Sequence, residues 1–267
     1  MRMACRPSDP NTDDLEDVAS AMETWSPIEI LQWTVDRHGR VAVATGFGAE
    51  GCVLIDMAAA RALPVECFTL DTGLLFDETH ALWRRLEERY GVRIRAVTPE
   101  QTVSEQAAAH GEALWSTDPA RCCALRKVAP LRTLLRSYDA WVAAIRRDQT
   151  RTRAGARHVE WDEANGLVKV NPLLRWSAED VWAYVRTHDV PTSPLYERGY
   201  TSIGCWPCTT TVSAGEDPRA GRWRGHDRHE CGLHTAPGGI VRLSRRATAW
   251  HPVRTSVPGA ADGREEA

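Results

Sequence analysis

Residues 41–50 read Val-Ala-Val-Ala-Thr-Gly-Phe-Gly-Ala-Glu, a short apolar run that breaks at two glycines and continues as a helical pattern to about residue 63. This order predicts a buried strand, a tight turn and a helix. A second apolar run over 65–70 ends at Asp71-Thr72-Gly73, and a helical pattern and a strand over 93–97 follow it. The βαβαβ rhythm predicts an α/β fold, with a mostly parallel sheet and helices on both faces.

The two turns of this pattern are the natural place for a ligand, because open parallel sheets bind ligands at the carboxyl ends of their strands. The turn at 45–50 could present backbone N–H groups and a helix N-terminus to an anion. A glycine turn without any ligand explains the same residues equally well. The turn lacks the GxxxxGK[ST] pattern, which excludes a Walker nucleotide site.

The rest of the chain is less regular. Residues 1–24 are polar and acidic and predict a flexible lead-in, after which a helix begins at Trp25-Ser-Pro27. A strand is expected over 140–145, and Ser177-Ala-Glu-Asp180 is a capping box that opens a helix. Residues 190–239 are rich in Pro, Gly, Cys and charge, with little periodicity, so this region needs cross-links to hold it.

Composition excludes several classes of protein. The 267 residues carry 33 Lys+Arg against 36 Asp+Glu, a formal net charge of −3, which argues against a strongly basic nucleic-acid binder. The sequence contains no apolar run of about 18 residues, so no membrane span is predicted. The N-terminus has no apolar segment of the kind found in secretory signals. We therefore expect a cytoplasmic protein without nucleic-acid or membrane partners.

Cysteines give the sharpest chemical signal, with eight in the chain. Cys122 and Cys123 are adjacent, and Cys205-Trp-Pro-Cys208 supplies a second pair, so the four thiolates suit zinc or an iron–sulfur cluster. A directly adjacent pair fits zinc knuckles poorly. Buried structural thiols and a thioredoxin-type redox pair remain the alternatives.

Cys231 stands apart, within Arg228-His-Glu-Cys-Gly-Leu-His234. Flanking Arg and His residues lower a thiol pKa and favour the nucleophilic thiolate, so we expect a nucleophile here. A fifth metal ligand is the alternative. Cys52 and Cys67 lie in a predicted helix and strand and are expected to be buried as small apolar residues.

Arginine and lysine gather near these motifs. The loop 146–153 holds four arginines and directly follows a predicted strand, which favours anion binding over an ordinary solvated loop. Lys127, Arg219 and Arg222 add cations beside the cysteine motifs. Guanidinium groups are well suited to clamp phosphate or sulfate oxygens.

Taken in order, these segments resemble the iron–sulfur assimilatory adenylyl-sulfate (APS) reductases of the phosphoadenylyl-sulfate (PAPS) reductase family. The resemblance runs from about Thr45 to His234. The segments that carry it are Phe47–Glu50, Leu70–Gly73, Cys122-Cys-Ala-Leu-Arg-Lys127, Arg146–Gln149, Lys169–Leu173, Gly199–Thr209, Gly215–Trp223 and Glu230–His234.

The resemblance implies a fold like that of the adenine-nucleotide α-hydrolases, with a PP-loop-like turn at 45–50. It implies a reductase domain over 25–234, whose mobile C-terminal segment around 225–234 carries a catalytic Cys231, and a tail of unknown role over 235–267. It further implies a [4Fe–4S] cluster, structural and electrostatic in role, on Cys122, Cys123, Cys205 and Cys208.

The implied reaction begins when the Cys231 thiolate attacks the sulfur of APS and expels AMP. Thioredoxin then releases sulfite from the S-sulfocysteine, in sulfate assimilation for cysteine biosynthesis. Lys127, Arg219 and Arg222 match the cations that bind the phosphosulfate. The other substrate-binding positions that the resemblance carries over are Phe47, Gly48, Leu70, Gly73, Arg153 and His234.

Three positions depart from the family pattern: Gly46 replaces a hydroxyl residue, Ala144 a glycine and Thr210 an arginine. The nearest alternative function is PAPS reduction. A second alternative is a PP-loop ATP pyrophosphatase, although the Ser-Gly-Gly-x-Asp-Ser loop of that class is not matched here. A third is a zinc-stapled RNA-binding module that uses the 146–153 loop. The oligomeric state is open, with a homo-oligomer among the options.

Overall fold

The computed structural model describes residues 12–228 and 230–234, and within them six strands form one sheet. In chain order the strands are β1 (Val41–Thr45), β2 (Val65–Leu70), β3 (Ile94–Val97), β4 (Ala140–Val142), β5 (Val159–Asp162) and β6 (Leu167–Val170). Their order across the sheet is β3-β2-β1-β4-β6-β5, and each neighbouring pair is parallel except β5 and β6. The predicted mostly parallel α/β sheet is confirmed.

Helices cover both faces of this sheet, as predicted. Val41 and Val43 of β1 point into one apolar cluster, whereas Ala42 between them points into a second cluster on the opposite face. The α-helices of the described residues are α1 (Thr12–Ala21), α2 (Pro27–Arg37), α3 (Ala49–Ala60), α4 (Asp77–Tyr90), α5 (Val103–His110), α6 (Leu114–Thr117), α7 (Pro119–Cys123), α8 (Ala129–Leu135) and α9 (Ala178–His188).

The register of the central strands brings their carboxyl ends to one edge. Val41 at the start of β1 pairs with Val65 of β2 on one side and with Ala140 of β4 on the other. Since all three strands are parallel, the turns that follow them open at the same edge of the sheet. This alignment places the candidate site.

The segment expected to be a flexible lead-in is folded over its described part, which corrects that expectation for residues 12–24. It forms α1 and a short 3₁₀ turn over Met22–Thr24, and the Met22 side chain is fully buried in the core. Glu23 pairs with Arg147 at 3.0 Å, and Glu16 pairs with Arg157 at 2.6 Å. Two of the acidic residues that make this segment look solvated, Glu16 and Glu23, are thus partners for arginines elsewhere in the chain.

A hairpin of β5 and β6 adds the antiparallel edge, which the sequence analysis did not anticipate. The two strands pair from Val159↔Val170 to Asp162↔Leu167, and Gly166 closes the turn with φ of 69°. Between α9 and residue 234 the described residues are irregular, as expected, with two 3₁₀ turns and one isolated bridge between Thr209 and Arg222. The tail at 235–267 lies outside the described residues.

No helix in the described residues is both long enough and apolar enough to cross a membrane.

Candidate active site

A cavity of about 670 Å³ opens at the carboxyl edge of β1, β2 and β4, a volume typical of small-molecule sites, which span roughly 300–1,000 Å³. The sequence placed the site at this edge. Of the predicted site residues, those that line the cavity are Gly48, Leu70, Lys127, Arg153, Cys205, Arg219, Arg222, Cys231 and His234. The structure therefore brings two thiols, four cations and the strand ends to one space.

The turn after β1 is held by side chains at both of its ends. The Thr45 hydroxyl accepts a hydrogen bond from Phe47 N–H at 3.0 Å, and Ala49 N–H in the first turn of α3 donates to the Tyr196 hydroxyl at 2.9 Å. A Cβ on Gly51 would lie 2.6 Å from the Thr45 hydroxyl oxygen, so only glycine lets α3 approach the strand end this closely.

Phe47 and Gly73, both predicted to contact the substrate, do not line the cavity. The Phe47 side chain is buried in the core and stacks on Trp83, with 5.6 Å between the ring centroids. Its backbone adopts φ of 59°, which turns the chain so that Gly48 rather than the ring faces the cavity. Gly73 has φ of 68° and lies beside the Arg126 guanidinium. Both residues shape turns at the edge of the site.

Arg219 and Arg222 form a cationic wall of the cavity. The Arg222 guanidinium donates to the Ile203 carbonyl at 3.2 Å and lies 4.6 Å from the centre of the Trp223 ring. Burial and the neighbouring Arg153 lower the pKa of Arg219 to about 10, so this guanidinium still carries its charge at neutral pH. Two arginines held this way suit an anionic group with several oxygens.

The four predicted ligand thiols come from two places in the fold. Cys122 and Cys123 end α7, and a π-helical segment over Ala124–Val128 joins this helix to α8. Such segments are frequent at functional sites. Cys205 directly precedes a 3₁₀ turn over Trp206–Cys208, and Cys208 ends it. The turn is tied to the sheet edge because Trp206 N–H donates to the Leu74 carbonyl at 2.8 Å.

These four sulfurs are mutual neighbours, since each pair lies close enough for the charge of one thiolate to affect the pKa of the other. Burial and the neighbouring thiolates raise the pKa of Cys122 to about 11 and of Cys208 to about 12. Ionising all four thiols at neutral pH would therefore require a positively charged centre between them. The donor set fits a metal or cluster.

Within residues 12–228 and 230–234, no three Cys, His, Asp or Glu side chains converge as they would around a single metal ion. The four predicted ligands are all cysteines, a donor set that suits both zinc and an iron–sulfur cluster.

Two cations next to the thiols, the buried Arg126 and the partly buried Lys127, support an anionic group. Arg126 is 3% exposed, and its Nε donates to the Thr72 carbonyl at 2.5 Å. In the part of the chain that the structure describes, neither Arg126 nor Lys127 has a carboxylate within ion-pair distance. Burial opposes the charge of Lys127, but the thiolates of Cys205 and Cys231 outweigh it and raise the Lys127 pKa.

Cys231 faces the same cavity as these cations. The segment that carries it is docked on the second apolar face, where Leu233 packs against the cluster that contains Trp141. His234 stacks on Trp141 with 5.8 Å between ring centroids and 8° between the planes. Burial and the nearby Arg153 lower the pKa of His234 well below its usual value, so the imidazole is neutral at pH 7.

The basic loop was expected to bind an anion, but the protein's own carboxylates engage three of its four arginines. Arg146 pairs with Glu50 at 2.6 Å, Arg147 with Glu23 at 3.0 Å, and Arg153 with Glu230 at 2.7 Å. Arg151 is exposed. The charge of the loop is thus largely compensated within the fold, and its arginines mainly brace the site.

Four contributors were not singled out from the sequence. Arg126 and Tyr196 hold the turns that follow the strands, Trp141 is the platform for His234, and Glu230 binds Arg153. Each acts through a partner distant in the chain, for which no local pattern gives a signal. Arg126 and Glu230 lie in segments that the sequence already marked, 122–127 and 230–234, but neither residue was singled out there.

Fold and site together define a class: an α/β enzyme domain with a small-molecule cavity at the carboxyl edge of a parallel sheet, into which a cysteine thiol and a cationic wall both face. The chain belongs to the phosphoadenosine phosphosulfate reductase family, because the model of the phosphoadenosine phosphosulfate reductase domain matches residues 40–211.

Named relatives agree with this assignment. The adenosine 5′-phosphosulfate reductase of Streptomyces coelicolor is 46% identical over 215 residues, which cover 80% of this chain and 90% of the relative. The enzyme of the same name from Halalkalibacterium halodurans is 40% identical over 223 residues, which cover 83% and 96%. A crystal structure of phosphoadenylyl-sulfate (PAPS) reductase from Candida auris, in complex with phosphate, superposes with a TM-score of 0.69 at 28% identity. The superposition covers 77% of this chain and 99% of the Candida auris chain.

Proposed function

We propose that this protein reduces adenylyl sulfate (APS) to sulfite and AMP, with thioredoxin as the electron donor. One observation carries the proposal: the Cys231 thiol lines the same cavity as Lys127, Arg219 and Arg222, at the sheet edge where a nucleotide would lie. Curated relatives at 40–46% identity are named adenosine 5′-phosphosulfate reductases, which supports APS as the substrate.

The chemistry proceeds in two displacements. The Cys231 thiolate attacks the sulfur of APS, a sulfur–sulfur bond forms, and the sulfur–oxygen bond to the phosphate breaks, so that AMP departs with the electron pair. A thioredoxin thiolate then attacks Cys231 Sγ and expels sulfite. The second thioredoxin thiol resolves the mixed disulfide, which regenerates the Cys231 thiolate and leaves thioredoxin oxidised.

The cationic wall has a defined task in the first displacement. Negative charge gathers on the sulfo and phosphate oxygens while the bond to AMP breaks, and a fixed cation stabilises this charge without reorganising. Arg219 and Arg222 are already oriented by contacts with Ser202, at 3.3 and 3.4 Å. Lys127 lines the same cavity as Cys231 and adds a third positive charge to it.

We propose Cys122, Cys123, Cys205 and Cys208 as ligands of a [4Fe–4S] cluster. Support comes from the all-thiolate donor set and from the positive charges of Arg126 and Lys127 beside it. When bound, the cluster would cross-link α7 to the 205–208 turn and supply negative charge that orients Lys127. No step of the proposed reaction passes electrons through it.

Two alternatives are weaker. A PP-loop ATP pyrophosphatase needs the N-terminus of α3 for pyrophosphate, whereas the Tyr196 hydroxyl already accepts from Ala49 N–H there, at 2.9 Å. An RNA-binding module would need loop 146–153 as a cationic surface, and carboxylates engage most of that charge. PAPS reduction stays the nearest rival, because the Candida auris structure carries that name.

We also propose a cytoplasmic location. The seven cysteines in the described residues are all free thiols, which suits a reducing compartment.

The discriminating experiment supplies anaerobically purified protein with either APS or PAPS, together with thioredoxin, its reductase and NADPH, and measures sulfite. Sulfite from APS, with little from PAPS, is the expected result. A preference for PAPS would overturn the substrate assignment and keep the thiol chemistry, whereas sulfite from neither nucleotide would overturn the proposed reaction.

A further inference from the structure

Glu230, the residue before Cys231, makes a two-point ion pair with Arg153. Its Oε1 accepts from Arg153 Nε at 2.7 Å, and its Oε2 accepts from Arg153 Nη2 at 2.8 Å. The side chains are 13% and 8% exposed, so the pair is almost entirely removed from water. A planar guanidinium and a carboxylate in this arrangement fix orientation as well as distance.

The surroundings of the pair hold it in place. The Thr150 hydroxyl donates to Glu230 Oε1 at 3.1 Å, and Arg153 also donates to the Gln149 side chain. Hydrogen bonds from Arg153 and the charges of Arg153 and Arg219 outweigh the effect of burial and lower the Glu230 pKa, so the carboxylate is ionised at neutral pH. Arg153 is thus committed to a carboxylate of the protein itself.

Cys231 lies between this ion pair and a second attachment. On its other side Leu233 packs into the apolar cluster of the sheet face, and His234 stacks on Trp141. Because these two attachments lie on either side of Cys231 and close to it in the chain, they restrict the positions that its thiol can take. The apolar contacts keep the segment on the sheet but do not fix its rotation. The two-point ion pair fixes that rotation.

We propose that Glu230 is a positioning residue for the Cys231 nucleophile, with Arg153 as its docking partner. The inference rests on the proposed function for the identity of the reaction, but the docking itself does not depend on turnover.

Arg219 connects the docking pair to the substrate wall. Its Nη2 lies 3.6 Å from Glu230 Oε2, a longer contact than either bond to Arg153. A substrate anion that draws Arg219 toward itself would weaken this contact and leave both Arg153 bonds intact. The segment therefore stays docked while substrate binds, as attack by Cys231 requires.

The test compares Glu230→Gln, Arg153→Gln and the double variant with the parent protein. Glu216→Gln is the matched control, because it removes a carboxylate from another two-point pair, with Arg224 at 3.2 and 3.1 Å, in the same region but exposed to solvent. Three quantities are measured: labelling of Cys231 by a bulky iodoacetamide, adduct formation with APS in a single turnover, and AMP affinity. Labelling is run at about pH 9, above the ordinary thiol pKa of about 8.5, so that access rather than ionisation controls it.

Loss of one partner of a buried pair should undock the segment, so Glu230→Gln is expected to label at least about tenfold faster and to form adduct about tenfold more slowly or worse. AMP affinity should stay within about twofold, since the nucleotide contacts are untouched. The double variant should be no worse than either single one, because both remove the same interaction. Glu216→Gln should match the parent throughout.

Parental labelling and adduct rates in Glu230→Gln would overturn the proposal. So would parental labelling and adduct rates in Arg153→Gln, since the segment would then stay docked without the ion pair. If the parent forms no adduct with APS, the proposed function fails, whereas the labelling comparison still decides whether Glu230 docks Cys231.

Discussion

The backbone at Gly204 lies directly against the guanidinium of Arg222: a Cβ at residue 204 would be 2.2 Å from Nη2 and 2.6 Å from Cζ of that side chain. Gly204 immediately precedes Cys205, a proposed cluster ligand, and Arg222 is a proposed substrate cation. Because Gly204 has no side chain, the turn that carries the proposed cluster ligand leaves room for the guanidinium of Arg222 in the substrate cavity. The cysteine turn and the cationic wall are built as one unit, which the Thr209↔Arg222 bridge reinforces.

Gly204→Ala should therefore displace Arg222 and weaken substrate binding. Titration of APS into this variant on a Cys231→Ser background, where no turnover occurs, is expected to give about a tenfold loss of affinity, the worth of one charge-assisted contact. Gly155→Ala is the matched control, because a Cβ there meets no atom within 4 Å. Parental affinity in Gly204→Ala would contradict the role of Arg222.

Cys231→Ser should abolish sulfite formation, by roughly a thousandfold or more, because the serine hydroxyl is a far weaker nucleophile at neutral pH. APS binding and iron content are expected to match the parent, since Cys231 is not among the proposed ligands. Both are measured beside sulfite release. Substantial residual turnover would show that another group attacks the substrate.

Cys122→Ser should reduce iron and acid-labile sulfide to a small fraction of the parental content, because a cluster loses stability without its full set of thiolates. Cys52→Ala provides the comparison. Cys52 is fully buried in the apolar cluster that contains Val41 and Val43, so its replacement should leave the iron content unchanged. Equal iron in both variants would remove Cys122 from the ligand set.

Met22→Ala should destabilise the protein by about 2–5 kcal/mol in denaturant unfolding, since it leaves a cavity in the core beneath the 3₁₀ turn. Met22→Leu keeps the volume and should cost less than about 1.5 kcal/mol. Equal stability of Met22→Ala and the parent would mean that the N-terminal segment contributes nothing to the fold.

Local pattern predicted the central fold well. Apolar runs that stop at glycines gave β1 and β2 with correct bounds, because strands buried on both faces read as continuous apolar segments. The β5–β6 hairpin was missed, although Asn165-Gly166 between two alternating segments is a recognised hairpin signal. Its strands of four residues are too short for periodicity to stand out.

The candidate site was predictable where chemistry depends on residue type and not where it depends on pairing. Cys231 and Arg219 could be chosen because thiols and guanidiniums have specific uses. The pairing of Arg153 with Glu230 could not, since 77 positions separate the two residues and each alone looks like a solvated charge. The same limit applies to the pair of Glu23 and Arg147. Because this pairing could not be predicted from the sequence, residues 12–24 were expected to be flexible.

The most direct test of the account is to mix the anaerobic protein with one equivalent of APS in the absence of thioredoxin. AMP release and the mass of the peptide that contains Cys231 are then measured. The account predicts that AMP is released in a single turnover and that Cys231 gains one sulfo group, which added thioredoxin removes as sulfite. AMP release without a sulfo group on Cys231, or a sulfo group on another cysteine, would contradict it.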